Sequence, residues 1–110
     1  MTLPYSKIFD IRNYLFNLNL KSFNYGQFED FFIKRPTLAP ITIVRLSKDT
    51  DNFSILVYPL YLKNNVLIAD KHNYVIVDED ELVSIMDSYS ILIKQYTQIL
   101  ELKKIKKDFL

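Results

Sequence analysis

The sequence contains no cysteine, only one glycine (Gly26) and only one histidine (His72). Without cysteine, disulfides and thiolate zinc sites are excluded, and one histidine cannot form a histidine cluster around a metal ion. P-loops and dinucleotide-binding loops need several glycines, so both are excluded as well. We therefore expect neither a metal nor a cofactor.

Long apolar runs are also missing. The longest extends from Ile55 to Leu62 and contains a proline, whereas about 18 residues are needed to span a bilayer. Near the N-terminus, Lys7, Asp10 and Arg12 interrupt the apolar residues, which is not the pattern of a secretory signal. We expect a cytoplasmic protein that has no contact with a membrane.

What remains is the composition of an ordinary globular domain. The 110 residues are 49% hydrophobic and 25% charged, with a net charge of +1. No repeat or flexible linker divides them, so we expect a single domain over residues 1–110. The 13 isoleucines, 11 lysines and 8 asparagines against 2 alanines and 1 glycine indicate an A/T-rich genome. A low-GC bacterium, its phages or its mobile genetic elements would have such a genome.

Hydrophobic spacing predicts two helices near the N-terminus. Over residues 4–18, apolar side chains recur every three or four positions, and Pro4 suits the first helical turn. Asn24 and Gln27 resemble a capping box, which predicts a second, short helix from there to about Lys34. Pro36 would end that helix, because the residue before a proline disfavours the helical conformation.

The middle of the chain predicts a small antiparallel sheet. Its apolar segments are rich in β-branched residues and are separated by polar turns, and Asn64-Asn65 suits a two-residue hairpin turn. We therefore expect an α+β fold with about four strands. The predicted strands are Ile41–Leu46, Phe53–Leu60, Val66–Ala69 and Tyr74–Val77.

A long C-terminal helix is the strongest local prediction. Asp78 can cap it, and three further carboxylates, Glu79, Asp80 and Glu81, suit its first turn. Its apolar residues then recur at helical spacing for almost three heptads. At about 1.5 Å per residue, roughly 26 residues would span about 39 Å, so the helix is expected to extend beyond its own domain. The residues of this stripe are Leu82, Ile85, Met86, Tyr89, Leu92, Ile93, Tyr96, Ile99 and Leu100.

Few side chains suit catalysis. His72 lies in a polar stretch typical of a turn, and no serine lies in a GxSxG or SxxK motif. The acidic run from Asp78 to Glu81 matches the start of a helix better than a cation site. A small enzyme that uses His72 or the acidic run is the least favoured of three hypotheses, and we expect no enzyme.

The first hypothesis is a small accessory or inhibitor protein of a phage or mobile element that binds a protein partner or a second copy of itself. The long helix or an aromatic surface would make the contact, since tyrosine and phenylalanine are enriched at interfaces. The alternative is that the stripe packs on the chain's own sheet. The candidate interface residues are Tyr89, Leu92, Ile93, Tyr96, Ile99 and Leu100.

The second hypothesis is a nucleic-acid-linked accessory, such as a helper subunit of a DNA replication complex or a small DNA-binding regulator. The near-neutral net charge gives no global basic field. Local lysines and arginines could contact phosphates, and sheet tyrosines, of which Tyr58, Tyr61 and Tyr74 are expected to be exposed, could stack on bases. The candidate basic residues are Lys34, Arg35, Lys103, Lys104, Lys106 and Lys107.

Overall fold

A computed structural model describes residues 1–108, with side chains described through Lys106. This part of the chain has an α+β fold with one short N-terminal helix, eight strands and a long C-terminal helix. The helices are α1 (Ile8–Asn17), which follows a 3-10 turn at Tyr5–Lys7, and α2 (Glu79–Asp108). The strands are β1 (Leu3–Pro4), β2 (Lys21–Asn24), β3 (Phe28–Arg35), β4 (Leu38–Lys48), β5 (Asn52–Val57), β6 (Leu60–Lys63), β7 (Val66–Ala69) and β8 (Val75–Val77).

Six of the strands form one antiparallel sheet. Its order is β1-β5-β4-β3-β2, and β8 pairs with β5 farther along the strand than β1 does. Strands β2 to β5 follow one another as a meander, and the described residues form eight strands where the sequence predicts about four. Of the four predicted strands, the first two and the last contribute to this sheet, whereas Val66–Ala69 lies in a separate hairpin. Strands β6 and β7 form a separate hairpin whose Asn64-Asn65 turn has φ values of 52° and 64°. The expectation that two asparagines would adopt positive φ there is confirmed.

The predicted second helix is wrong, because the segment around it forms the β2–β3 hairpin. Asn24 begins a turn here and does not cap a helix: its Oδ1 accepts a hydrogen bond from the Gly26 backbone N–H at 3.0 Å. Gly26 supplies the positive φ of 84° that the turn needs. The Tyr25 N–H then bonds to the Phe28 carbonyl at 2.9 Å and closes the hairpin.

Other helix and strand boundaries differ from the predicted ones for local reasons. The first helix is shorter than residues 4–18, because its predicted start is a short strand followed by a 3-10 turn. The strand predicted over Phe53–Leu60 stops at Val57 and a new one begins at Leu60. Pro59 lies between them and has no N–H to donate to a sheet ladder. An additional hairpin joins β3 to β4 through Thr37, whose φ is 63°.

One face of the six-stranded sheet forms the core beneath α1, and we call it the helix-covered face. One buried row on this face consists of Phe31, Val44 and Val57, which are paired with one another across β3, β4 and β5. Helix α1 contributes its buried residues Ile8, Ile11 and Leu15 to the same core. The ring of Phe16 on α1 lies 5.3 Å from that of Phe31, so the amphipathic stripe of α1 faces the sheet as its spacing predicts.

Helix α2 packs against the β6–β7 hairpin, where Tyr89 donates a hydrogen bond to the Tyr58 carbonyl at 2.8 Å. A salt bridge of 2.8 Å between Lys7 and Glu79 joins the beginnings of the two helices. The 30 residues of α2 correspond to about 45 Å, whereas the two shorter dimensions of the molecule are 26 and 25 Å. The side chains of residues 101–106 are accordingly exposed, and the end of the helix extends beyond the core.

The start of α2 gives a test of local stability. Asp78 Oδ1 accepts a hydrogen bond from the Glu81 N–H at 2.8 Å, so Asp78→Ala should reduce the free energy of unfolding by about 1 kcal/mol. Asp80→Ala, in the same first turn, is the matched control and should cost only a few tenths of a kcal/mol through the helix dipole. Urea unfolding followed by circular dichroism measures both changes. Equal losses would contradict a specific capping role for Asp78.

Candidate interaction surface

The opposite face of the sheet carries exposed aromatic side chains around a partly buried ion pair. Directly paired positions on five adjacent strands form its central row. Because side chains of directly paired residues lie on the same side of a sheet, the row defines one surface, which we call the aromatic face. From β2 to β8, the row is Phe23, Asp30, Arg45, Leu56 and Ile76.

The centre of the aromatic face is a salt bridge between Asp30 and Arg45. Arg45 Nε lies 2.7 Å from Asp30 Oδ1 and Nη2 lies 3.0 Å from Oδ2, a two-pronged contact that only arginine can make. The hydroxyl of Tyr25 donates a further hydrogen bond to Asp30. The guanidinium carbon of Arg45 also lies 4.7 Å from the centre of the Phe28 ring, within cation–π range.

These contacts fix the charge states at the centre of the face. The hydrogen bond and charge of Asp30 hold the pKa of Arg45 above its ordinary value. The hydrogen bond to Asp30 likewise raises the pKa of the Tyr25 hydroxyl, and partial burial adds to it. Burial raises the pKa of the Tyr58 hydroxyl. At neutral pH the arginine is therefore charged but neutralised by its partner, and both tyrosines are neutral.

Large apolar side chains surround this centre and remain in contact with solvent. Phe23 is 62% exposed, Tyr74 is 50% exposed and Ile76 is 47% exposed. The rings of Phe23 and Tyr25 lie 5.1 Å apart, and Tyr74 meets Tyr58 edge-on at 6.3 Å. A group of exposed aromatic residues around a neutralised arginine is typical of a binding surface.

The candidate interface residues of α2 mostly contribute to the protein's own core. Tyr96 is buried, and four others are partly buried against the core: Tyr89, Leu92, Ile93 and Leu100. Ile99 is partly exposed. Beyond it, Leu102 and Ile105 are exposed in the last turns. An interface on this helix stays a prediction, and the exposed apolar side chains available to it are Val83 and Ile91 along the helix and Leu102 and Ile105 near its end.

The candidate nucleic-acid residues lie in two separate places, on β3 and at the end of α2. Lys34 is exposed on β3, whereas Arg35 donates hydrogen bonds to the carbonyls of Ala39 and Leu67 at 2.8 and 3.0 Å. Lys103, Lys104 and Lys106 are exposed at the end of α2, and the side chain of Lys107 lies outside the described ones. Tyr61 and Tyr74 are exposed as expected, but Tyr58 is buried and that prediction is wrong.

The residues considered for catalysis lie in a turn and at the start of a helix. The backbone N–H of His72 bonds to Asp70 Oδ1 at 2.9 Å in an exposed turn, and the acidic run begins α2. Among the described residues, no group of three histidine, aspartate or glutamate side chains is arranged to hold a metal ion. The absence of enzymatic activity stays a prediction.

Sequence reasoning missed the residues that build the aromatic face. The capping-box resemblance at Asn24 favours a helix up to Lys34, but Phe28, Asp30 and Phe32 alternate with the residues between them. That period of two is the pattern of a strand with one distinct face. This period places Asp30 on the same side of β3 as two aromatic residues, where a carboxylate needs a cationic partner.

Comparisons of this chain with protein-family models, curated proteins and solved structures give no match. Neither helix of the described chain is both long enough and apolar enough to cross a lipid bilayer.

The ion pair at the centre of the face should be worth more to folding than its position near the surface suggests. Arg45→Met leaves the carboxylate of Asp30, whose side chain is only 7% exposed, without its cation. We expect a loss of about 2–4 kcal/mol in the free energy of unfolding. The double variant Asp30→Leu/Arg45→Met should recover more than half of that loss, because it also removes the isolated charge. Urea unfolding of Asp30→Leu, Arg45→Met and the double variant measures the coupling energy between the two residues. Additive losses would contradict it.

The Tyr25 hydroxyl should make the stability of the fold depend on pH in the alkaline range. Its pKa is raised in the folded state above the ordinary value of about 10. The stability that its hydrogen bond contributes, about 1 kcal/mol after solvent screening, is therefore present below pH 10 and is lost as pH rises through the folded-state pKa. Tyr25→Phe should remove this component. Unfolding midpoints between pH 8 and about 11 would show it, and identical profiles for the two proteins would contradict the role of the hydroxyl.

Proposed function

We propose that this protein is a small non-enzymatic accessory protein that binds a partner protein through its aromatic face. The observation that supports this most directly is the exposure of Phe23, Tyr74 and Ile76 around the Asp30–Arg45 pair. Aromatic and arginine side chains dominate the energy of protein interfaces when they become buried at its centre. The amino-acid composition favours an A/T-rich bacterial, phage or mobile-element origin, and such an origin is part of the proposal.

The charges of the aromatic face favour a protein partner over nucleic acid. Binding to nucleic acid depends on the number of phosphates that cations neutralise. Arg45 is already neutralised by Asp30. By strand alternation, only Lys21 and Lys34 add free cations to this side of β2 and β3. About two phosphate contacts would give weak binding at physiological salt. A single-stranded nucleic acid that stacks on Tyr74 is therefore the second candidate.

The chemistry of the face also describes its partner. Its central row offers rings and aliphatic side chains, so the partner must present an apolar centre that excludes water from them. Lys21 and Lys34 lie toward one end of the face, where carboxylates of the partner would be complementary. The pre-formed Asp30–Arg45 pair would become fully buried without breaking, because its charges already compensate each other.

Removing the exposed rings should weaken binding without unfolding the protein. Phe23→Ser combined with Tyr74→Ser should weaken the complex by at least about thirtyfold, since hot-spot residues contribute 2 kcal/mol or more. The double variant and the original protein would be used as baits side by side, and the dissociation constant of each captured and purified partner would then be measured by calorimetry. Circular dichroism checks that the variant is folded.

The matched control is Leu102→Ser, which removes an exposed apolar side chain from the end of α2. It should leave the dissociation constant unchanged if the aromatic face is the interface. The opposite result, a loss with Leu102→Ser and none with the double variant, would assign the interface to the helix. A single-stranded oligonucleotide that binds at about 50 mM salt and is released steeply by added salt would instead favour the second candidate.

A further inference from the structure

A half-open pocket of about 130 Å³ lies on the other side of the sheet from the aromatic face, between the beginning of α1 and the ends of three strands. Its wall on α1 includes Arg12, and Tyr5 precedes the helix. Its floor includes Asn24, Glu29 and Lys48 from β2, β3 and β4. Protein cavities of about 150 Å³ can hold a molecule the size of benzene. The pocket is therefore large enough for a ligand of a few heavy atoms.

The strand register puts the three floor residues on the helix-covered face. Asn24 lies directly opposite Glu29 in the β2–β3 pair, and Glu29 is buried. Lys48 lies opposite the buried Phe53. Side chains of directly paired residues share a side of the sheet, so Asn24, Glu29 and Lys48 lie on the side beneath α1, where all three line the pocket.

Glu29 is the most unusual of these groups, because a carboxylate that is only 1% exposed needs compensation. Its Oε1 accepts a hydrogen bond from Arg12 Nε at 2.9 Å. The side-chain hydrogen bonds of the described residues include none to its Oε2. Since no wholly buried side-chain oxygen among them lacks a partner, Oε2 keeps a small contact with solvent, and Glu29 is one of the residues that line the pocket.

The residues that line the pocket therefore offer several donors and one strong acceptor. Arg12 donates to Glu29 only through Nε, which leaves its other guanidinium N–H groups available. Asn24 uses its carbonyl oxygen to bond Gly26, which leaves its amide N–H groups. Lys48 adds a cation, and the three charged groups together carry a net charge of +1.

We infer that this pocket binds inorganic phosphate in a protonated form. The phosphate oxygens would accept hydrogen bonds from Arg12, Lys48 and Asn24, which are donors that suit an oxyanion. Inorganic phosphate keeps at least one proton at neutral pH, and its P–OH would donate to Glu29 Oε2. Sulfate has the same shape but no proton at this pH, so the carboxylate would repel it.

Calorimetric titration of the full chain at pH 7 and matched ionic strength tests the inference with phosphate, sulfate and acetate as probes. Phosphate should bind saturably and at least about tenfold more tightly than sulfate, the effect of one hydrogen bond to a charged group. Glycerol phosphate, a monoester whose second pKa is about 6, should bind more weakly than free phosphate. No saturable binding of phosphate, or equal binding of sulfate or acetate, would overturn the inference.

Two variants locate the site. Glu29→Gln keeps an oxygen for Arg12 and adds an amide donor, so it should remove the preference for phosphate over sulfate. Lys48→Gln, which leaves the buried pair intact, should weaken phosphate binding about tenfold and keeps the test decisive if the first variant does not fold. Lys63→Gln, on the β6–β7 hairpin, is the control and should bind phosphate normally. Undiminished binding to Lys48→Gln would overturn the inference.

Discussion

Strand β3 carries two consecutive carboxylates, Glu29 and Asp30, into poorly solvated positions on opposite faces of the sheet. Each is compensated by an arginine from a neighbouring element: Arg12 of α1 on one side and Arg45 of β4 on the other. A carboxylate left without its partner in such a position would cost several kcal/mol. A register slip of one residue would also exchange the two faces. The two pairs therefore favour one register of β3 and one position of α1 above it.

The same arrangement divides the chemistry of the molecule between two faces. On the helix-covered face, the Arg12–Glu29 pair lies beside a small pocket with an unused carboxylate oxygen. On the aromatic face, the Arg45–Asp30 pair is enclosed by Tyr25 and Phe28, so its charges are satisfied and the rings around it determine the character of the surface. One strand thus supports a polar pocket on one side and an apolar surface on the other. The two proposals can be tested separately, because no side chain belongs to both.

The α+β class and the C-terminal helix could be predicted because their signals are local. Asp78 caps a helix through its own neighbour, and Asn64-Asn65 makes a hairpin turn through its own conformational preference. The segment after Asn24 could not be assigned in this way, since its apolar residues fit a helix or a strand and Asn24 suits a cap or a turn. Its true state depends on pairing with β4 and on the distant Arg12 and Arg45. The sequence also could not show that Arg35, a candidate nucleic-acid residue, donates hydrogen bonds to carbonyl groups of its own chain.

The aromatic face separates the residues needed for folding from those available for binding. Asp30 and Arg45 join neighbouring strands, so replacing either one would lower the free energy of unfolding even when no partner is present. Phe23 and Tyr74, in contrast, remain about half exposed or more. Full burial of such a side chain contributes about 1.5–3 kcal/mol to folding, and these two rings contribute only about half of that. The remaining apolar area would be buried only by a partner. Because the ion pair beneath is already formed, binding would not have to pay the conformational entropy of ordering Asp30 and Arg45.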